Sequence, residues 1–144
     1  MENEHTLVLI KPDAVVRGLV GKIIARFEEA GFKIDKMRFI EKPSKKLIDC
    51  HYGEHVYKPF YPDLLEVMMV GPVIAISFSN HNCSSVDCSP VAKARSMIGA
   101  TNPLEAVPGT IRGDFCGHGP CNLVHASDSD ESAQCELFIW FSSL

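Results

Sequence analysis

Four short apolar runs, "TLVLI" (6–10), "FKIDKMRFI" (32–40), "PVIAISF" (72–78) and "NLVH" (122–125), are separated by stretches of helical periodicity. Their order restricts the fold more than any other feature. The first run is continuous and stops at "KPD", as a buried strand does when it meets proline. In "LVGKIIARFEEAG" the apolar Leu19, Val20, Ile23, Ile24 and Phe27 recur at helical spacing, and Gly31 suits the position just past a helix end. Ser44 is placed to cap "KKLIDCHYGEH", and "PDLLEVMMVG" reads as a further short helix closed by Gly71. "VAKARSMIG" is helical again. "SDSDESAQCELFIWF" closes the chain as a helix, with Ala133, Leu137, Phe138 and Phe141 on or near one face. Without the insertion after the second strand and the closing helix, the order is β-α-β-β-α-β. The expected architecture is therefore α+β, a ferredoxin-like antiparallel four-stranded sheet with helices on its faces. The split unit itself packs its helices on one face. One domain, residues 1–144, accounts for the whole chain, with no repeats and no linker.

Two stretches break the periodicity. "SNHNCSSVDCSP" (79–90) is small, polar and turn-rich. Residues 100–121 are rich in Gly and Pro, and an irregular stretch of that length in a compact domain is usually functional. Composition excludes some partners: with 14 Lys and Arg and a net charge of −4, no face can be broadly basic, so neither nucleic acid nor an anionic membrane is expected. No apolar run reaches membrane-spanning length, and the start of the chain is too polar for an export signal, so a soluble cytoplasmic protein is expected. The six cysteines read mostly as free thiols. Cys83 with Cys88, and Cys116 with Cys121, share a C-x4-C spacing with His118 inside the second pair. A zinc site there is conceivable but loosely spaced.

Phosphate chemistry needs converging cations and donors without a competing carboxylate. Lys11 lies where the first strand reaches the surface, Arg95 in the helix before "MIGATNP", and Thr101 and Arg112 in the long irregular stretch. His125 ends the fourth strand, ahead of a dense run of hydroxyl and acidic residues. Ser127 with Asp130, and Asp128 with Glu131, have capping-box spacing, so a helix starts there. Each cation taken alone is ordinary surface chemistry. No glycine-rich phosphate loop of either common pattern occurs, so a nucleotide must be held differently.

The segments "TLVLIKPDAVVRGLVGKIIARFEEAGFKI", "HYGEHVYKPFYPDLLEVMMVGPVIA", "MIGATNPLEAVPGTIRGDF" and "NLVHASDSDESAQCELFIWF" together resemble the nucleoside diphosphate kinase family, in order and over nearly the whole chain. The resemblance implies transfer of the γ-phosphoryl of a nucleoside triphosphate to a nucleoside diphosphate, in two steps through a phosphohistidine. It makes His125 the nucleophile, Glu136 the carboxylate that orients it, and Ser127 a hydroxyl beside it. Lys11, Tyr52, Arg95, Thr101, Arg112 and Asn122 match residues around the phosphates and sugar. Phe60 matches the ring that stacks on the base, with Leu64 near it. Magnesium is implied as a cofactor carried on the nucleotide's phosphates, with no protein ligands. A homo-oligomer is implied, a hexamer ahead of a tetramer, and Pro103 falls in the segment that packs between subunits.

Three positions depart from the family pattern. Ala126 stands where glycine usually follows the nucleophile, which would matter if that position needed a positive φ. Cys121 replaces an arginine just before Asn122, and the 79–90 connection is several residues longer than the family's usual one. A binding or regulatory protein that kept the fold and lost the chemistry is the competing reading. Against it, His125, Lys11, Arg95, Arg112, Thr101, Asn122 and Glu136 are all present. A zinc-stabilised interaction module would explain the cysteine spacing but none of the cations.

Overall fold

The computed structural model describes residues 5–80, 89–116 and 122–142. Its centre is a four-stranded sheet in the order β2-β3-β1-β4, built from β1 (His5–Ile10), β2 (Lys33–Ile40), β3 (Val73–Ser79) and β4 (Val124–Ala126). All three pairings are antiparallel, as the ferredoxin-like unit requires.

Helices cover both faces, and the division follows the chain. The crossover helices α2 (Val20–Glu29) and α5 (Pro90–Ile98) pack on one face. There Ile23, Phe27, Ala94 and Ile98 meet Val8, Ile10, Ile76 and Phe78. The insertion helices α3 (Lys45–Tyr52) and α4 (Tyr61–Met69), with the closing helix α7 (Asp130–Phe141), cover the other. There Ile48, Met68 and Trp140 meet Leu7, Leu9 and Ala75. Successive side chains of a strand point to opposite faces, so a strand covered on both sides must be apolar throughout. This is why "TLVLI" and "PVIAISF" are continuous runs. Strand β2 lies at the edge and leaves Met37 and Phe39 exposed.

Several local expectations are corrected. Pro12 does not only stop β1; it opens a one-turn helix, α1 (Pro12–Val16), where its missing N–H costs nothing. Helix α3 ends at Tyr52, because Gly53 takes a φ of 46°, and the chain continues as a 3₁₀ turn to Tyr57. The 100–121 stretch contains a helix, α6 (Ile111–Phe115), which carries Arg112. Its five residues are too few for periodicity to show. The cap of α7 is Ser129, whose Oγ accepts from the Ser132 N–H at 3.0 Å, and not Ser127 or Asp128. Ser127 is buried and turned inward to Glu136, so it is not free to cap. On α7, Trp140 is buried and Phe138 is 71% exposed, the reverse of the expected emphasis.

Ser44 caps α3 as its position suggests, accepting from the Leu47 N–H at 3.1 Å. Cys50 and Cys135 are free thiols, but Cys116 is disulfide-bonded, which corrects the expectation for it and removes its thiolate from any zinc set. Cys83, Cys88, Cys121, His118 and most of the 79–90 connection lie outside the described residues. Among the described residues, no helix is long and apolar enough to cross a membrane.

Candidate active site

Antiparallel pairing of β1 with β4 sets Leu9 opposite His125, so the end of β1 lies beside the start of β4. Lys11 follows β1 directly. Its side chain is buried, and Nζ donates to Asn122 Oδ1 at 2.7 Å. Arg112 reaches the same oxygen through Nη2 at 3.1 Å. Its remaining donors tie α6 to both neighbouring segments. Nε donates to the Asn122 carbonyl at 3.1 Å, Nη1 to Gly99 at 2.9 Å and Nη2 to Val124 at 2.7 Å. Two buried cations thus share one amide oxygen. Burial, then the nearby Arg112, lowers the Lys11 ammonium to about 8, with Asp13 opposing. Burial, then Arg95, lowers Arg112 to about 10, which leaves it charged at neutral pH. An anion entering beside Lys11 and Arg112 would relieve their repulsion.

Around His125 the partners are fixed on α7 and α3. His125 Nε2 lies 3.0 Å from Glu136 Oε1, and Ser127 Oγ donates to that same oxygen at 2.8 Å. A carboxylate only accepts, so Nε2 carries the proton and Nδ1 keeps the lone pair. His51 packs edge-on against the His125 ring, with centroids 4.5 Å apart. Trp140 Nε1 donates to His51 Nδ1 at 3.0 Å. Burial, followed by His125 and Lys11, holds His51 well below the usual histidine range, so it stays neutral beside the His125 ring. Tyr52 is pushed up to about 12 by burial and then by Glu136, which keeps its hydroxyl protonated.

His125, Glu136, Tyr52, Phe60 and Leu64 line one cleft, together with His51, His55, Asp128 and Ser132. Phe60 is 51% exposed, with the His55 ring 5.8 Å away and the Lys58 ammonium 5.9 Å from its centroid. Arg95 Nη1 donates to the Ala126 carbonyl at 3.4 Å, which links α5 to the residue after His125. Thr101 lines a neighbouring hollow with Arg95, and not the His125 cleft. The sequence reading gave no role to His51, His55, Trp140 or Asp13, and only a capping role to Asp128. Asp13 had the one visible signal, two residues after Lys11 in "KPD". Ala126 lies within β4 without a positive φ; that conformation falls on Leu123 instead.

Among the described residues, His51, His125 and Glu136 form the one group able to converge on a metal ion. Two imidazoles and one carboxylate suit a softer cation than magnesium, which prefers oxygen ligands. Moreover, Trp140 fills His51 Nδ1, so Nε2 must carry the ring proton and cannot ligate while that hydrogen bond stands. The donor set therefore offers magnesium no cage.

Comparison with known proteins points to one family. The family model described as nucleoside diphosphate kinase matches residues 4–144. A nucleoside diphosphate kinase of Trichormus variabilis is 48% identical over 139 residues, 96% of this chain and 88% of that one. One from Drosophila melanogaster is 45% identical, covering 96% and 86%. Among solved structures, nucleoside diphosphate kinase from Encephalitozoon cuniculi superimposes with a TM-score of 0.85 at 35% identity, over 96% of this chain and 89% of that one. A nucleoside diphosphate kinase family protein from Babesia bovis gives 0.86 at 38%, over 98% and 90%. Sequence, fold and the geometry around His125 converge, and the chain belongs to the nucleoside diphosphate kinase family.

Proposed function

We propose that the chain performs its family's phosphoryl transfer through a covalent phosphohistidine on His125. The observation that carries this reading is the Glu136 hydrogen bond, which selects the tautomer with a free lone pair on Nδ1. In the first half-reaction Nδ1 attacks the γ-phosphorus of a nucleoside triphosphate. The N–P bond forms, the bond to the β-phosphate oxygen breaks, and the nucleoside diphosphate leaves. Positive charge developing on the ring is stabilised by Glu136 through Nε2–H. In the second half-reaction the β-phosphate oxygen of another diphosphate takes the group, and His125 is regenerated. Splitting the transfer lets one site serve two anions that could not meet directly.

Lys11, Arg95 and Arg112 supply the positive field, and Tyr52 and Asn122 the hydrogen bonds, that phosphoryl transfer relies on in place of covalent chemistry. Thr101 completes the phosphate and sugar contacts once nucleotide is bound. The half-exposed Phe60 supports stacking of the base, with Leu64 beside it. Every base has a π-face, so discrimination among bases is weak. Magnesium, carried on the nucleotide's own phosphates, would neutralise part of their charge when bound. The exposed Met37 and Phe39 on the edge strand β2 support assembly into a homo-oligomer; the family resemblance favours a hexamer ahead of a tetramer. Light scattering that gave a monomer mass would contradict the assembly.

The test of the catalytic reading is incubation with γ-labelled ATP and magnesium without acceptor, beside His125→Ala. Acid-labile, base-stable label on the native protein alone, discharged by a nucleoside diphosphate, is expected. No label on either protein would leave a family member that binds without transferring.

A further inference from the structure

Asp13 lies outside the His125 cleft, yet it holds the segment that enters it. Its Oδ2 accepts from two successive backbone N–H groups, Asn122 at 3.2 Å and Leu123 at 3.1 Å. Leu123 has a φ of 65°, the one positive value among the described residues other than glycine. Around it, the Val124 N–H closes onto the Asn122 carbonyl at 2.7 Å. A bond between residues i and i+2 about a positive-φ centre is the rare and strained form of the γ-turn. Leucine gains nothing there from local chemistry, unlike glycine or asparagine. Its side chain is fully buried in the core, which rules out an incidental loop wobble.

Such a conformation persists only where its surroundings over-determine it. Here they do. The Lys11 N–H donates to the Leu123 carbonyl at 2.8 Å, and Arg112 Nε to the Asn122 carbonyl at 3.1 Å. Asp13 supplies the acceptor that both remaining amides need. Without it, two N–H groups would face a region already holding two buried cations. The Asp13 charge also opposes the lowering of Lys11 and Arg112.

We propose that Asp13 is a positioning residue for the transfer: its carboxylate pins the strained turn at Leu123. The pinned turn keeps Asn122 Oδ1 between Lys11 Nζ and Arg112 Nη2, and holds His125, two residues beyond the turn, in register opposite Leu9. Asp13 does not line the His125 cleft. It acts through the backbone of Asn122 and Leu123. The proposal rests on His125 being the phosphorylated residue.

The test compares single-turnover phosphorylation at saturating magnesium–ATP in the full chain, per mole of folded protein. The proteins are the wild type, Asp13→Ala, Asp13→Asn and Phe27→Leu, the last a core change in α2. ADP affinity by calorimetry and thermal midpoints are measured on the same samples. Asp13→Ala is expected to slow phosphorylation by about tenfold or more, as a small misplacement of reacting groups does, with ADP affinity changed by less than about threefold. Asp13→Asn is expected to recover most of the rate, because one carboxamide oxygen can still accept both amides. Phe27→Leu is expected to lower the midpoint and leave the rate intact. If Asp13→Ala does not fold, Asp13→Ser, too short to span both amides, takes its place with the same expectation. Wild-type rates in Asp13→Ala, an Asp13→Asn as slow as the alanine variant, or an equal slowing in Phe27→Leu would each overturn the proposal. No label on the wild type would overturn the phosphohistidine reading and this one with it, whereas a labelled wild type beside an unimpaired Asp13→Ala overturns this one alone.

Discussion

The indole N–H of Trp140 donates to Nδ1 of His51 at 3.0 Å, and the His51 ring rests edge-on against His125. The closing helix therefore fixes the site twice, through Glu136 on His125 and through Trp140 on the ring packed against it. Trp140→Phe keeps an aromatic ring but not the full indole volume, and leaves a buried acceptor unpaired. It is expected to destabilise by about 1–3 kcal/mol, read by denaturant unfolding, and to slow phosphorylation less than changes at Glu136 do.

Glu136→Gln is the sharper perturbation. A carboxamide can donate as well as accept, so it no longer selects the tautomer with a bare Nδ1. The phosphorylation rate in rapid-quench measurements is expected to fall by about tenfold to a hundredfold, the range met when an imidazole loses its orienting acceptor. Nucleotide affinity is expected to change little. A rate within twofold of wild type would separate Glu136 from the chemistry.

Lys11 sets the alkaline limb. Its ammonium is lowered to about 8, chiefly by burial, so the free protein loses this charge as pH rises past that value. A plot of kcat/KM is expected to fall above about pH 8, and kcat to fall at higher pH, because bound phosphates favour the charged form. Stability moves the other way. A lysine whose folded pKa is depressed is bound to fewer protons folded than unfolded between about 8 and 10.5, so unfolding free energy rises across that window. Below it, the charged lysine costs the fold about 3 kcal/mol by the same shift. Lys11→Met should therefore melt no lower than wild type at pH 7 while losing most activity, and a lower midpoint would contradict this.

Gly113 and Gly99 frame Arg112. A Cβ on Gly113 would stand 2.0 Å from the Val107 carbonyl oxygen, a backbone atom that cannot swing away. Gly99 has a φ of 88° and accepts from Arg112 Nη1. Gly113→Ala is expected to be among the most destabilising single changes, beyond about 3 kcal/mol, with loss of nucleotide affinity in the folded fraction because α6 carries Arg112. A thermal midpoint near wild type would contradict the packing.

The strands β1 and β3 were legible because both faces of each are covered, so their runs are apolar without interruption. The helices α2 and α5 were legible from periodicity, and the cap of α3 from Ser44. What sequence left hidden has physical causes. The five residues of α6 are too few to show a period, and its boundary depends on Thr110 accepting from the Gly113 N–H. The cap of α7 moved to Ser129 because Ser127 has a buried partner. The positive φ at Leu123 was hidden because the groups that bond to that turn, Asp13 and the Lys11 N–H, lie more than a hundred residues earlier. In the site, the family resemblance pointed to His125, Glu136 and the cations as residues. The assignment of the proton to Nε2 follows only from a distance, and the neutral His51 beside it only from its burial in the fold.

The most direct measurement is the position of the phosphate on the imidazole. Protein carrying ¹⁵N-histidine, phosphorylated by magnesium–ATP and held at alkaline pH, would be read by phosphorus–nitrogen coupling in NMR. The Glu136 hydrogen bond predicts a single phosphohistidine, on Nδ1 of His125, which disappears when a nucleoside diphosphate is added. Phosphate on Nε2, or on a residue other than His125, would contradict it.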